Sequence, residues 1–123
     1  MCDNRKEARP DLFESHQWQQ SACKNLVSIA GIAKEIHQNA IDHGWWDTHR
    51  PVPELLCLVH SEVSEALEAY RNHDMENLAE ELADIVIRVF DMAEGMDLDV
   101  QHEILKKHEI NKKRPFRHGG KAC

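Results

Sequence analysis

The sequence is poor in the residues that turns and sheets depend on. Five glycines and four prolines in 123 residues, with no useful run of alternating polar and apolar positions, favour helices over a sandwich or a barrel. No stretch of eighteen apolar residues and no signal-peptide pattern occurs, so no membrane span or secretion is expected. The four cysteines, Cys2, Cys23, Cys57 and Cys123, show neither a CxxC nor a Cys/His metal spacing. The chain therefore reads as reduced and cytoplasmic, with Cys57 a small buried hydrophobe. Positive charge is also lacking overall. A net charge of −7 argues against general binding of nucleic acid, which works by neutralising phosphates. The Gly-x-x-x-x-Gly-Lys-Ser/Thr loop of P-loop enzymes is absent too.

What remains is a single small domain, 41% hydrophobic and 30% charged, which suits a folded globular chain. Residues 1–20 are polar and weakly patterned and read as a tail; the domain spans 21–121. A domain of this size buries only about 65% of its unfolded surface, so its own core is modest and oligomerisation is expected.

Four helices are predicted, giving an all-α, four-helix-type bundle. Ser21 caps the first, which carries Leu26, Ile29, Ala30, Ala33, Ile36 and Ala40 to about His43 and stops at Gly44. A loop with Trp45 and Trp46 follows. Pro53 opens the second helix, which ends near Arg71 with Leu55, Val59, Val63, Ala66 and Tyr70 on one arc. Asp74 caps the third, closed by Gly95, with a core stripe of Leu78, Leu82, Ile85, Val89 and Ala93. The fourth starts at Asp97 or Asp99 and runs to about Lys113, before Pro115.

Two acidic patterns interrupt the apolar runs: Glu62-x-x-Glu65 and, after residues 66–80, Glu81-x-x-Asp84. Residues three apart on a helix are neighbours, with Cβ atoms roughly 5–6 Å apart. Glu62 falls inside the apolar arc of its helix and Glu65 at its edge. Two helices packed through these runs bring four carboxylates together, and each like-charged pair at ~5 Å costs on the order of 3 kcal/mol at an effective dielectric of about 20. Such a cluster calls for a cation, and all-oxygen ligands point to magnesium, manganese or calcium rather than zinc. Hard divalent cations on carboxylates suit phosphate chemistry. Lys107 and Asn111, four apart on one helical face, with Arg114 a turn further on, could meet phosphates. Arg88 and Asp91 are expected to pair beside the site. His60 and the Asp99-x-x-His102 spacing are read as ordinary surface features.

Four blocks stand in order: Trp45-Trp46-Asp47; Leu58-Val-His-Ser-Glu62-Val-Ser-Glu65; Glu80-Glu81-Leu-Ala-Asp84-Ile-Val-Ile-Arg88; and Lys107-His-Glu-Ile-Asn111-Lys-Lys-Arg114-Pro-Phe. From about residue 24 to 121 the chain resembles the MazG-like all-α nucleoside triphosphate pyrophosphohydrolases. The resemblance implies hydrolysis of a (deoxy)nucleoside triphosphate to monophosphate and pyrophosphate, as in housekeeping of the nucleotide pool. It further implies magnesium, with manganese as a substitute, and a homo-oligomer, dimer or tetramer. By position it implies Glu62, Glu65, Glu81 and Asp84 as metal ligands and catalytic residues, Lys107 as a catalytic cation, and Asn111 and Arg114 on the phosphate side. Trp45 and Trp46 either pack on the base or plug the core. Glu65 is the expected acceptor of the attacking water's proton. The alternative reading is a helical bundle that binds nucleotide through metal without turnover.

Overall fold

The computed structural model describes residues 28–116. The expected tail, the Ser21 cap and Leu26 lie outside them. Four helices follow in order: α1 (Ile29–Asp42), α2 (Val52–Arg71), α3 (Met75–Gly95) and α4 (Val100–Lys112). The described residues form an all-α structure in which α2 and α3 make a tight hairpin, α1 packs on α3, and α4 leans on α1. No described helix is long and apolar enough to cross a membrane.

Each helix begins where a side chain or a proline permits it. Ser28, extended and outside the helix, accepts from the Gly31 N–H at 2.9 Å, so α1 starts at Ile29. Asp74 accepts from the Asn77 N–H at 3.0 Å and Asp99 from the His102 N–H at 2.9 Å. Of the two candidates for the start of α4, Asp99 is therefore the cap, and its spacing to His102 serves helix capping. Pro51 and Pro53 open α2 without a side-chain cap, since a proline lacks the N–H that a first turn leaves unpaired.

The first three helices end by one device. Trp45 N–H reaches Ala40 O and Gly44 N–H reaches Ile41 O, the paired bonds of a Schellman motif. The same pair recurs after α2, through Asp74 to Ala69 and His73 to Tyr70, and after α3, through Leu98 to Ala93 and Asp97 to Glu94. The motif needs one left-handed residue, supplied by Gly44 (φ 80°), His73 (φ 58°) and Asp97 (φ 57°). Gly95 thus has a different role from the expected one. The helix runs through it, Met96 is the cap residue, and Asp97 makes the left-handed turn.

The core of the described chain is built from small residues: Ala33, Leu55, Ala66, Ala69 and Ala93 are buried, and alanines let helix backbones approach closely. The expected arc of α2 is only half inward. Leu55 and Ala66 are buried, whereas Val63 and Tyr70 are 47% and 61% exposed. They join Leu56 and Leu67 in an apolar stripe on the outside of α2, and Met75, Leu82 and Val86 repeat the spacing on α3. Cys57 is exposed rather than buried, because the inward position of that turn belongs to Leu55.

Candidate metal centre and its pocket

The α2–α3 hairpin sets Glu62 against the α3 turn that carries Glu81 and Asp84. Carboxylate oxygens of these three residues lie within 4.8 Å of one another, close enough for one cation to touch all three. Glu62 is the buried member, 8% exposed, and is the buried charged residue among those described. Glu65 is exposed one turn further along α2, where Ser61 Oγ donates to its carboxylate at 3.2 Å. It stands outside the convergent three, yet near enough for its charge to act on Glu81.

Glu81 records the electrostatic cost of this arrangement. Loss of solvent, then the charges of Glu65, Asp84, Glu62 and Glu80, raise its carboxyl above the ordinary glutamate value of 4.5. A carboxyl raised on folding opposes folding once ionised. The cost is absent below the ordinary value and grows as pH rises through the raised one. Glu81→Gln should therefore raise the melting temperature of the cation-free chain at pH 7 and flatten its rise on acidification toward pH 4.5. Thermal melts in a chelating buffer across that range check this, and a lower melting temperature for the variant would contradict it.

Arg88, one turn after Asp84, does not pair with Asp91 as expected. Its Nε–H donates to Glu62 Oε1 at 2.9 Å across the hairpin. Asp91 is claimed by two other donors: its Oδ1 accepts from Trp46 Nε1 at 2.9 Å and from His37 Nδ1 at 2.7 Å. Both residues of the α3 pair thus find partners on other elements.

The two tryptophans separate. Trp46 turns inward: its indole N–H is held by Asp91, its ring meets His37 edge-on at 5.0 Å, and its six-membered ring rests on Gly95. Trp45 stays 47% exposed, with the Arg50 and Arg88 guanidinium carbons 5.1 and 5.5 Å from its ring centroid. Arg50 is pinned by Glu54 at 2.7 Å and the Trp45 carbonyl at 3.3 Å. A cavity of about 520 Å³ runs between α1 and α3, bordered by Trp45 at one side and by Glu62, Asp84 and Arg88 at another. Ile32, Ile36 and Ile87 give it apolar walls. Trp46 is not among its lining residues.

The basic residues expected on the phosphate side stand elsewhere. Lys107 and Asn111 line a groove along α4 with Val100 and Ile104, and that groove shares no residue with the carboxylate cavity. Arg114 is exposed beyond the end of α4. The pairing of Arg88, the His37–Asp91–Trp46 cluster and the seat on Gly95 carry no local sequence signal, since each joins residues more than 25 positions apart.

The α2–α3 hairpin thus brings together three carboxylates, an all-oxygen set of ligand atoms that could hold a metal ion, beside an aromatic-edged cavity. The sequence model of the MazG nucleotide pyrophosphohydrolase domain matches residues 52–118, more than half of the chain, and the chain belongs to that family. Searches of curated proteins and of solved structures find no match.

Proposed function

We propose that the protein hydrolyses a (deoxy)nucleoside triphosphate between the α- and β-phosphates, releasing a nucleoside monophosphate and pyrophosphate. The observation that carries this reading is the convergence of Glu62, Glu81 and Asp84, two of which, Glu62 and Asp84, line a cavity edged by Trp45. The donor set fits a hard divalent cation: it is all oxygen, and the charges of Glu65, Asp84, Glu62 and Glu80 all act on Glu81, itself partly withdrawn from solvent. Glu62, Glu81 and Asp84 would hold magnesium, or manganese in its place, with Glu65 as a fourth ligand or as the base. Bound there, the cation supplies charge to offset the triphosphate and acidifies the attacking water.

The chain's own groups do the rest. Trp45 offers a flat face for the base, and the isoleucine walls exclude water around it. Trp46, fixed by Asp91 and Gly95, holds the loop that aims Trp45. Water attacks the α-phosphorus, forming a P–O bond. The bond from that phosphorus to the bridging oxygen breaks, and its electron pair leaves with pyrophosphate. Glu65, the exposed carboxylate beside the cluster, accepts the water's proton and passes it to solvent.

The apolar stripes on α2 and α3 would be covered by a second copy, giving the homo-oligomer. Within such an assembly Lys107, Asn111 and Arg114 of a neighbouring copy would approach the phosphates, since in their own copy Lys107 and Asn111 line a separate groove. Leu67→Glu, which puts a charge in the middle of the α2 stripe, should shift the protein to a monomer. Light scattering after size exclusion checks this, and an unchanged mass would contradict it.

The function is tested with eight (deoxy)ribonucleoside triphosphates and magnesium, separating pyrophosphate from orthophosphate. Monophosphate plus pyrophosphate supports the reading. Orthophosphate plus diphosphate would move the attack to another phosphorus, and nucleotide binding without turnover would make the chain a sensor.

A further inference from the structure

Arg88 is the group whose position the chemistry above leaves unexplained. A triphosphate carries several negative charges into the cavity, and among the described residues Arg88 is the one basic side chain that lines it. Arg50 is close by but committed to Glu54 and to the Trp45 carbonyl. Lys107 belongs to a different groove. Yet Arg88 spends its Nε–H on Glu62, the most buried of the three convergent carboxylates. A cation of the chain itself already holds one of the three convergent carboxylates.

The geometry makes that pairing replaceable. Arg88 uses one donor on Glu62, and its two terminal nitrogens make no hydrogen bond to other described residues. A guanidinium has five N–H donors in a planar fork that matches carboxylate or phosphate oxygens two at a time. Asp91, three residues further along α3, accepts from Trp46 and His37 through its Oδ1 and is not paired with Arg88. The Trp45 ring, 5.5 Å from the guanidinium carbon, is a surface along which the group can turn while staying over the cavity.

A guanidinium and a divalent cation that both need Glu62 compete for it, so removing one must strengthen the hold of the other. We infer that Arg88 is a resident counter-ion, which yields Glu62 when the metal enters and then turns its fork to the phosphate oxygens of the substrate. It is thus a substrate-binding residue as well as a guard against an uncompensated buried charge. This inference rests on the proposed reading of the carboxylates as a metal centre.

The test uses the full chain and manganese alone as probe, followed by calorimetry without nucleotide. Arg88→Met keeps the apolar stem and removes the charge. It should bind manganese about tenfold more tightly than the unaltered protein. Its kcat/KM on the best triphosphate should fall about 100-fold, because a fork that meets the phosphates is gone. The opposite signs are what a merely structural arginine would not produce. Arg88→Lys keeps a cation beside Glu62 without the fork, so near-normal manganese affinity with roughly tenfold lower kcat/KM is expected. This second variant carries the test alone if Arg88→Met does not fold, as judged by circular dichroism. Manganese binding equally well to Arg88→Met and to the unaltered protein would overturn the inference and leave the metal centre standing. No manganese binding by the unaltered protein would overturn both. Full turnover in Arg88→Lys would also overturn it.

Discussion

Glu62→Ala should lower kcat/KM for the preferred triphosphate by roughly 10³-fold or more, the scale expected when a group aimed at transition-state charge is removed. Glu62 joins both halves of the site: its carboxylate converges with Glu81 and Asp84, and it pairs with Arg88. Truncation removes a cation ligand, and Arg88, although released from Glu62, is left without a metal-held triphosphate to meet. The fold should survive, because Arg88 is partly exposed and can turn to solvent when its partner is lost. Helical content by circular dichroism should therefore match the unaltered protein while the melting temperature no longer responds to magnesium. Glu65→Gln should behave differently. That carboxylate is exposed and outside the convergent three, so the variant should keep most of the magnesium response and lose turnover through the missing base. A Glu62→Ala protein with turnover within tenfold of normal would remove the carboxylate cluster from the chemistry.

Gly95→Ala should destabilise the protein by about 2 kcal/mol, the cost of overpacking a filled site, and lower its melting temperature by on the order of 10 °C. The sign is what makes this informative. At an unencumbered position near the end of a helix the same change stabilises by about 1 kcal/mol, because alanine has the better helix propensity. Here a Cβ on Gly95 would overlap three atoms of the Trp46 indole, a rigid ring that cannot swing aside without breaking its bond to Asp91. Displacing Trp46 also moves the adjoining Trp45 and the Arg50 stacked on it, so nucleotide affinity should fall along with stability. In a Trp46→Ala background the Gly95 substitution should become neutral or stabilising, which a double-mutant cycle of thermal melts would read directly. Equal destabilisation in both backgrounds would show that the contact is not the cause.

These two predictions draw on different kinds of information. The buried place of Glu62 was readable from the sequence because its signal is local: an acid in an apolar arc, three residues from another, with the pattern repeated on the next helix. The second, third and fourth helices were readable for the same reason, through periodicity, prolines and the Asp74 cap. Whether Asp97 or Asp99 capped α4 was open, because both can accept from a helix N-terminus. The structure decides it through α3, whose Schellman turn claims Asp97 for the left-handed position. The contact of Trp46 with Gly95 joins residues 49 positions apart, and no periodicity announces it. The same holds for Arg88, whose nearest acidic neighbour in sequence on the C-terminal side, Asp91, is not its partner. The outward face of Val63 and Tyr70 was also hidden, since a helical wheel marks apolar arcs without saying which neighbour covers them.

In the proposed reaction, water attacks the α-phosphorus of a nucleoside triphosphate at the Glu62–Glu81–Asp84 cluster. Hydrolysing the fastest-turned-over triphosphate in ¹⁸O-labelled water with magnesium, then locating the label by mass spectrometry, tests it most directly. The label is expected in the nucleoside monophosphate, with pyrophosphate unlabelled. Label in pyrophosphate or in orthophosphate would contradict it.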